Sequence, residues 1–209
     1  MKRLDVEDPL VFDKWRTLYN DLSHEENIQF GYDMEAKYPG QASFNPVVFE
    51  QLFARLGGAP HVVEIGGWKG ELARHLMTKL PVASWHNIDM CKAAIEKTVP
   101  MGCLPFTAQF PDRFDWFLQP RTMQYDLCVS AHSIEHLSNA HLLALMNWIS
   151  GIPTVIFEAP IAMTGQTWGG YFGTHILEMG WNDINAAMKA LGYSAERIND
   201  WVFLYEVTK

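Results

Sequence analysis

The chain is poor in cysteine, in charge and, above all, in positive charge. Its 209 residues include 3 cysteines, Cys91, Cys103 and Cys128, odd in number and widely spaced. They fit neither a disulfide framework nor a metal knuckle, and a reducing cytoplasm is the expected setting. Charged residues make up 19%, against roughly 25% in ordinary soluble domains, which leaves room for a large interior or an apolar cleft. Lys and Arg number 16 against 24 Asp and Glu, a formal net charge of −8. Nucleic acid is disfavoured as a partner, because the phosphate backbone is held by clustered cations. There is no run of ~18 apolar residues, so no membrane span is expected. The first residues, with Lys2 and Arg3 followed by acids and Pro9 instead of an apolar stretch, do not read as a secretory signal. What is present is 48% hydrophobic and 13% aromatic residues, ample for a core and against disorder. The length suits one domain, or one domain with a small appendage, at ~100–200 residues per domain.

Along the chain, Leu10, Phe12, Trp15, Leu18, Tyr19 and Leu22 recur at roughly helical spacing. Asn45 followed by Pro46 reads as an N-cap and a first-turn proline, opening a helix through Val47, Phe49, Leu52, Phe53 and Leu56 that Gly57 and Gly58 stop. From His61 the rhythm changes. Residues 61–65 form a β-forming run, 71–80 a helix ended by Pro81, 82–88 a second strand with Asp89 at its end, 92–98 a short helix, and 103–108 a weak third strand. Residues 125–130 are a strand, 138–149 a helix, 154–158 the next strand, 182–191 a helix with Gly192 behind it, and 201–207 an alternating terminal strand. Strands alternating with helices imply βαβ units and a largely parallel sheet covered on both faces. Ligands of such sheets sit beyond the carboxyl ends of the strands. Glu64, Asp89, Ser130, His132 and Glu158 are the polar residues at those ends.

The most informative stretch runs Val62-Val63-Glu64-Ile65-Gly66-Gly67-Trp68-Lys69-Gly70-Glu71. A strand enters a tight glycine turn and a helix follows; glycine permits close backbone approach and positive φ. Asp89 lies 25 residues after Glu64, and in nucleotide-binding α/β folds an acid about 20 residues on takes the ribose hydroxyls. A dinucleotide turn needs G-x-G-x-x-G and a phosphate loop needs G-x-x-x-x-G-K-[ST]; neither is present.

On these residues the chain resembles the class I S-adenosylmethionine-dependent methyltransferases. Their first motif, a strand ending in an acid and then a glycine turn, is matched by Glu64, Gly66, Gly67, Trp68 and Gly70, with Trp68 where the middle glycine stands. Asp89 matches the ribose-clasping acid. The stretch from Tyr125-Asp126 to Ser130-Ala131-His132-Ser133-Ile134-Glu135-His136-Leu137 looks like the family's fourth strand and its exit. The resemblance covers about residues 60–209. It implies an α/β three-layer sandwich with a mostly parallel, seven-stranded Rossmann-like sheet. Residues 59–209 would be the cofactor domain and residues 1–58 an N-terminal helical cap. It implies S-adenosyl-L-methionine as cofactor, with Gln109 and Phe110 as amide partner and apolar wall for the adenine, His132 near the methionine end, and Met90 and Ser130 as further cofactor-binding residues. A small-molecule acceptor methylated at oxygen or nitrogen follows, no membrane is involved, and a homodimer is allowed. The [DNS]-P-P-[YFW] motif of amino methylation of DNA bases is absent.

His132 to His136 also matches H-x-x-E-H, an inverted zinc-protease signature, but the segment leaves a buried strand. The long glycine-rich loop over residues 159–180, with Trp168, Tyr171 and His175, suits a lid over a planar acceptor or a loop packed by its own aromatics. Methyl transfer needs an aligned acceptor and often a base. His175 is the first candidate, followed by Glu158 and His136. Two other readings stay open: a non-catalytic module that binds the cofactor or its product, and an aminopropyl transferase.

Overall fold

The computed structural model describes residues 44–89, 108–109, 120–137, 139–161, 177 and 179–208. The expected helix around Trp15, the short helix at 92–98 and most of the loop after Glu158 lie outside them.

The described elements are α1 (Pro46–Leu56), β1 (His61–Ile65), α2 (Glu71–Met77), β2 (Ser84–Asp89), β3 (Ala108–Gln109), β4 (Leu127–Ala131), a 3-10 turn (Ile134–His136), α3 (Asn139–Ile149), β5 (Thr154–Glu158), α4 (Trp181–Ala190), β6 (Tyr193–Arg197) and β7 (Val202–Val207). The strands form one sheet in the order β3-β2-β1-β4-β5-β7-β6. The pairs β3-β2, β2-β1, β1-β4 and β4-β5 are parallel, whereas β7 is antiparallel to both β5 and β6. The chain builds outward from β1 through β2 to β3, then returns to place β4 on β1's other side. That reversal makes the carboxyl ends of β1 and β4 the switch point, where such sheets open a crevice.

Strand alternation decides which side chain enters which layer. Val62, Trp85, Leu127, Ile156 and Leu204 face α1 and α2, packing with Phe49, Leu52, Phe53, Leu72 and Leu76. Val63, Ile88, Cys128, Val155 and Phe203 face α3 and α4, packing with Leu142, Leu145, Trp181 and Ile184. Both sheet faces are therefore covered, which is why β5 is buried along its whole length and β4 over its first four residues. Phe53 stacks on Trp85 at 5.8 Å between ring centroids and Trp181 lies 4.5 Å from Phe203. Each such buried side chain is worth roughly 1.5–3 kcal/mol. Among the described residues no helix is long and apolar enough to cross a membrane.

Local signals account for most boundaries. Asn45 caps α1, its Oδ1 accepting from the Val48 N–H at 3.3 Å, with Pro46 in the first turn and Gly57 at φ 66° beyond the end. Helix α2 stops three residues short of the expected 80, because Lys79 and Leu80 both bond the Leu76 carbonyl as the turn tightens before Pro81. The fourth strand begins at Leu127 rather than 125; just before it, Asp126 donates its N–H to the His61 carbonyl at 2.9 Å and accepts the His61 N–H on its carboxylate at 2.8 Å. Strand β6 completes the seven strands that the resemblance implies, but no local signal places a strand at residues 193–197. It exposes four of its five residues, so it carries no alternating apolar signal.

Candidate functional site

At the carboxyl end of β1 the chain makes its glycine turn. Gly66 has φ 70° and Gly70 φ 72°, and Trp68, at φ 48°, enters the left-handed region without being glycine. That costs a non-glycine residue roughly 1–2 kcal/mol, so something must hold it. The holders come from β2: Asp89 Oδ2 accepts from the Trp68 N–H at 2.7 Å, Asn87 Oδ1 accepts from the Gly67 N–H at 3.2 Å, and Asn87 Nδ2 donates to the Trp68 carbonyl at 3.0 Å. The turn is thus clamped along three polar groups by two residues of the neighbouring strand. Asp89, read from the sequence as a ribose ligand, has one oxygen committed to this clamp. Asn87, two positions before it on the same strand face, was not singled out.

The glycines are required by the protein itself. A Cβ on Gly66 would overlap the Ser133 side chain, and one on Gly67 would overlap the Glu64 carboxyl group and Asn87 Oδ1. The turn after β1 and the exit of β4 are therefore in direct contact at the switch point. Glu64 lies beneath them, buried, with its Oε2 accepting from the Trp85 Nε1–H at 2.7 Å. Burial, reinforced by the nearby charges of Asp89 and Glu71, pushes its carboxyl up to about 8 against the partial relief of the Trp85 bond. The Lys69 ammonium lies 6.0 Å from the centre of the Trp68 ring.

The exit of β4 carries the second group. His132, at φ 50°, donates its N–H to the Glu158 carbonyl at 2.7 Å. Its Nδ1 is 3.5 Å from Glu135 Oε1. Its ring meets Trp201 edge to face at 5.9 Å, and Trp201 is half exposed at the start of β7. Glu158, at the end of β5, accepts from the Asn45 N–H through both carboxylate oxygens at 3.2 Å, so the start of α1 points at a carboxylate, as the helix dipole favours. Burial raises the Glu158 carboxyl, and the Asn45 bond and His132 partly oppose that rise. Burial alone would lower His132, but Glu135 and then Glu158 outweigh it and raise the ring.

Glu64, Gly66, Gly67, Trp68, Gly70, Asp89, Ser130, His132 and Glu158 thus gather along one edge of the sheet, on β1, β2, β4 and β5 or just beyond their ends. Ser130 is buried, and its hydroxyl has no partner among the described residues. Gln109 lies on β3, paired in register with Asp89. His136 is the last residue of the 3-10 turn. Met90, Phe110 and His175 lie outside the described residues. The H-x-x-E-H match falls on a strand exit and a single 3-10 turn rather than on an α-helix, and no group of three metal-binding side chains forms among the described residues. Besides Asn87, sequence reasoning gives no site role to two residues of this edge: Glu135 appears there only within the exit of the fourth strand, and Trp201 only as the start of a strand.

No family model matches the sequence, and no curated protein matches it by sequence. Solved structures do match by shape. A sugar N-methyltransferase from Streptoalloteichus sp ATCC 53650 superposes with a TM-score of 0.65 at 12% identity, over 85% of this chain and 93% of that one. An amino pentose methyltransferase from Micromonospora echinaspora, solved with S-adenosylmethionine bound, gives 0.63 at 11% identity, over 85% and 96%. The chain has the fold of the class I methyltransferases. The magnesium protoporphyrin IX methyltransferase from Synechocystis PCC 6803, solved with S-adenosylhomocysteine, extends the match to 96% of this chain and 95% of that one, at a TM-score of 0.59 and 14% identity. At such identities the likeness fixes architecture, and the chemistry has to be argued from this chain's own edge residues.

Proposed function

We propose that the protein is an S-adenosylmethionine-dependent methyltransferase that methylates oxygen or nitrogen of a small-molecule acceptor. The observation that carries this reading is the polar edge at the switch point, where the glycine turn meets the exit of β4 and the buried Ser130 hydroxyl has no partner among the described residues. That is where a sheet of this topology takes its ligand.

The donor set suits such a cofactor. Main-chain groups, the Asp89 carboxylate and the Ser130 hydroxyl match ribose hydroxyls and an amino-acid end, and they do not form the cationic cradle a diphosphate demands. In this reading Glu64, Gly66, Gly67, Trp68, Gly70 and Asp89 hold the adenosyl portion. Met90, Gln109 and Phe110 line the adenine, and Ser130 and His132 face the methionine end. When bound, the cofactor supplies an electrophilic methyl group. The chain's own task is to exclude water, align the acceptor and take up a proton. Of His175, Glu158 and His136, the candidates for the last role, Glu158 lies at this edge with both carboxylate oxygens already accepting from the Asn45 N–H. Residues 1–58 serve as the cap, in keeping with the Asn45 bond to Glu158. The amino pentose and sugar methyltransferases among the similar structures, together with the half-exposed Trp201, support a sugar-like or planar acceptor.

The test is transfer. Methyl-labelled S-adenosylmethionine, incubated with the chain and a panel of amino sugars and phenols, should yield labelled acceptor and stoichiometric S-adenosylhomocysteine. Trp68 in the middle of the turn keeps a second reading, a module that binds without transferring. Binding without turnover across the panel would favour it.

A further inference from the structure

We propose that His132 is the general base of this transfer and that Glu135 is its positioning residue, an inference that rests on the methyltransferase reading above. Strand β4 ends at Ala131, and the next residue bends into the left-handed region at φ 50°, held by its N–H bond to the Glu158 carbonyl at 2.7 Å. A non-glycine residue keeps such a backbone only where its surroundings impose it, and such residues cluster at functional sites. The bend sets the imidazole between two unlike environments. Behind Nδ1, at 3.5 Å, stands Glu135, whose side chain is 4% exposed and whose Oε2 is buried without a partner among the described residues. The His132 side chain itself is 24% exposed and lies edge to face with the half-exposed Trp201. A buried carboxylate 3.5 Å from Nδ1 favours a proton on that nitrogen and leaves Nε2 as the basic one, the arrangement of an oriented base.

Position completes the argument. Ser133, the residue after His132, packs against Gly66 of the glycine turn. His132 is therefore the chain neighbour of a residue that touches the segment proposed to hold the cofactor. Glu158 is the poorer base, since both its oxygens accept from Asn45 and it is buried. The charged groups around the ring are Glu135 from the 3-10 turn and Glu158 from β5; in the β6–β7 turn Arg197 and Asp200 pair with each other. The two carboxylates favour a proton on the ring. In the step itself, the acceptor's oxygen or nitrogen forms a bond to the methyl carbon as that carbon's bond to sulfur breaks, the electron pair staying on sulfur. The acceptor's proton passes to Nε2 of His132 and from there to solvent.

The test needs no acceptor. Carbon-13 histidine resonances of the full chain are titrated by NMR, with His132→Asn assigning the signal among the 8 histidines. His132 should titrate above the ordinary histidine value, and Glu135→Gln should lower its midpoint by about 1 pH unit, a tenfold loss of proton affinity, as expected when an opposite charge ~4 Å away is removed. If Glu135→Gln does not fold, Glu135→Asp, which withdraws the carboxylate by one methylene, should lower it part of the way. In complexes, the midpoint should lie at least ~0.5 unit lower with S-adenosylmethionine than with S-adenosylhomocysteine, because only the former places a sulfonium charge nearby. A midpoint indifferent to Glu135, or equal in the two complexes, overturns the proposal while leaving the methyltransferase reading intact. Failure of the wild-type chain to bind either compound overturns both.

Discussion

Replacing Glu64 by Gln should stabilise the protein, and by more as the pH rises. The side chain is buried, and that burial pushes its carboxyl from an ordinary value of 4.5 up to about 8 in the folded protein. Below the ordinary value the group is protonated in both states and costs nothing. As pH climbs from there, the unfolded chain releases the proton while the folded protein retains it, so folding must take up a proton and stability falls. The loss continues until the folded pKa is reached and then levels off. The full gap corresponds to roughly 5 kcal/mol at about 1.4 kcal/mol per pH unit, an upper bound for a buried acid. Most of it develops between pH 5 and 8.5, where roughly 2–4 kcal/mol is expected. Gln keeps the volume and an oxygen for the Trp85 Nε1–H but cannot ionise. At about 2–4 °C per kcal/mol for a chain of this size, the melting temperature of Glu64→Gln minus that of the wild type should widen by roughly 5–15 °C across that range. Thermal melts by circular dichroism at pH 5, 6.5 and 8.5, at constant ionic strength, measure it directly. All other titrating groups are common to both proteins and cancel. Parallel curves would refute the reasoning and mean that Glu64 is ionised in the fold.

Two further substitutions probe the scaffold. Gly66→Ala adds left-handed strain of roughly 1–2 kcal/mol to the overlap with Ser133, so a loss above ~2 kcal/mol in urea unfolding is expected. Pairing it with Ser133→Gly should recover the overlap part only, which a double-mutant cycle would read as coupling. Tyr193→Phe should cost roughly 1–3 kcal/mol, because the buried hydroxyl lies 3.0 and 2.9 Å from the Ile149 and Ile152 carbonyls and accepts from the Gly151 N–H at 3.1 Å; equal denaturation midpoints would show that water replaces it.

The sequence made the site's outline legible because the signals there are local. Val62, Val63 and Ile65 announce a strand buried on both sides, the glycines announce the bend, and Asp89 closes the next strand. Hydrophobic period and turn chemistry are enough for these. What stayed hidden depends on contacts between distant segments. Strand β6 is an edge strand whose pairing with β7 supplies the order that its own polar residues do not. Asn87 reads as one more polar residue until the turn folds over it. Glu135 is one more residue of the strand exit until His132 bends back toward it, and Trp201 is a strand residue until the β6–β7 turn brings it to the edge of β4. The glycines carried a further ambiguity. Their freedom was read as access for a ligand, but the side chains of Ser133 and Glu64 already require it.

The central claim is that this edge of the sheet holds an adenosyl group, and isothermal titration of the full chain with S-adenosylhomocysteine tests it most directly. One saturable site is expected. Its affinity should weaken by roughly 1–3 kcal/mol in Asp89→Ala, which removes both a charged acceptor and the clamp on the Trp68 N–H. No heat at millimolar ligand, or equal affinity in the Asp89 variant, would contradict the account.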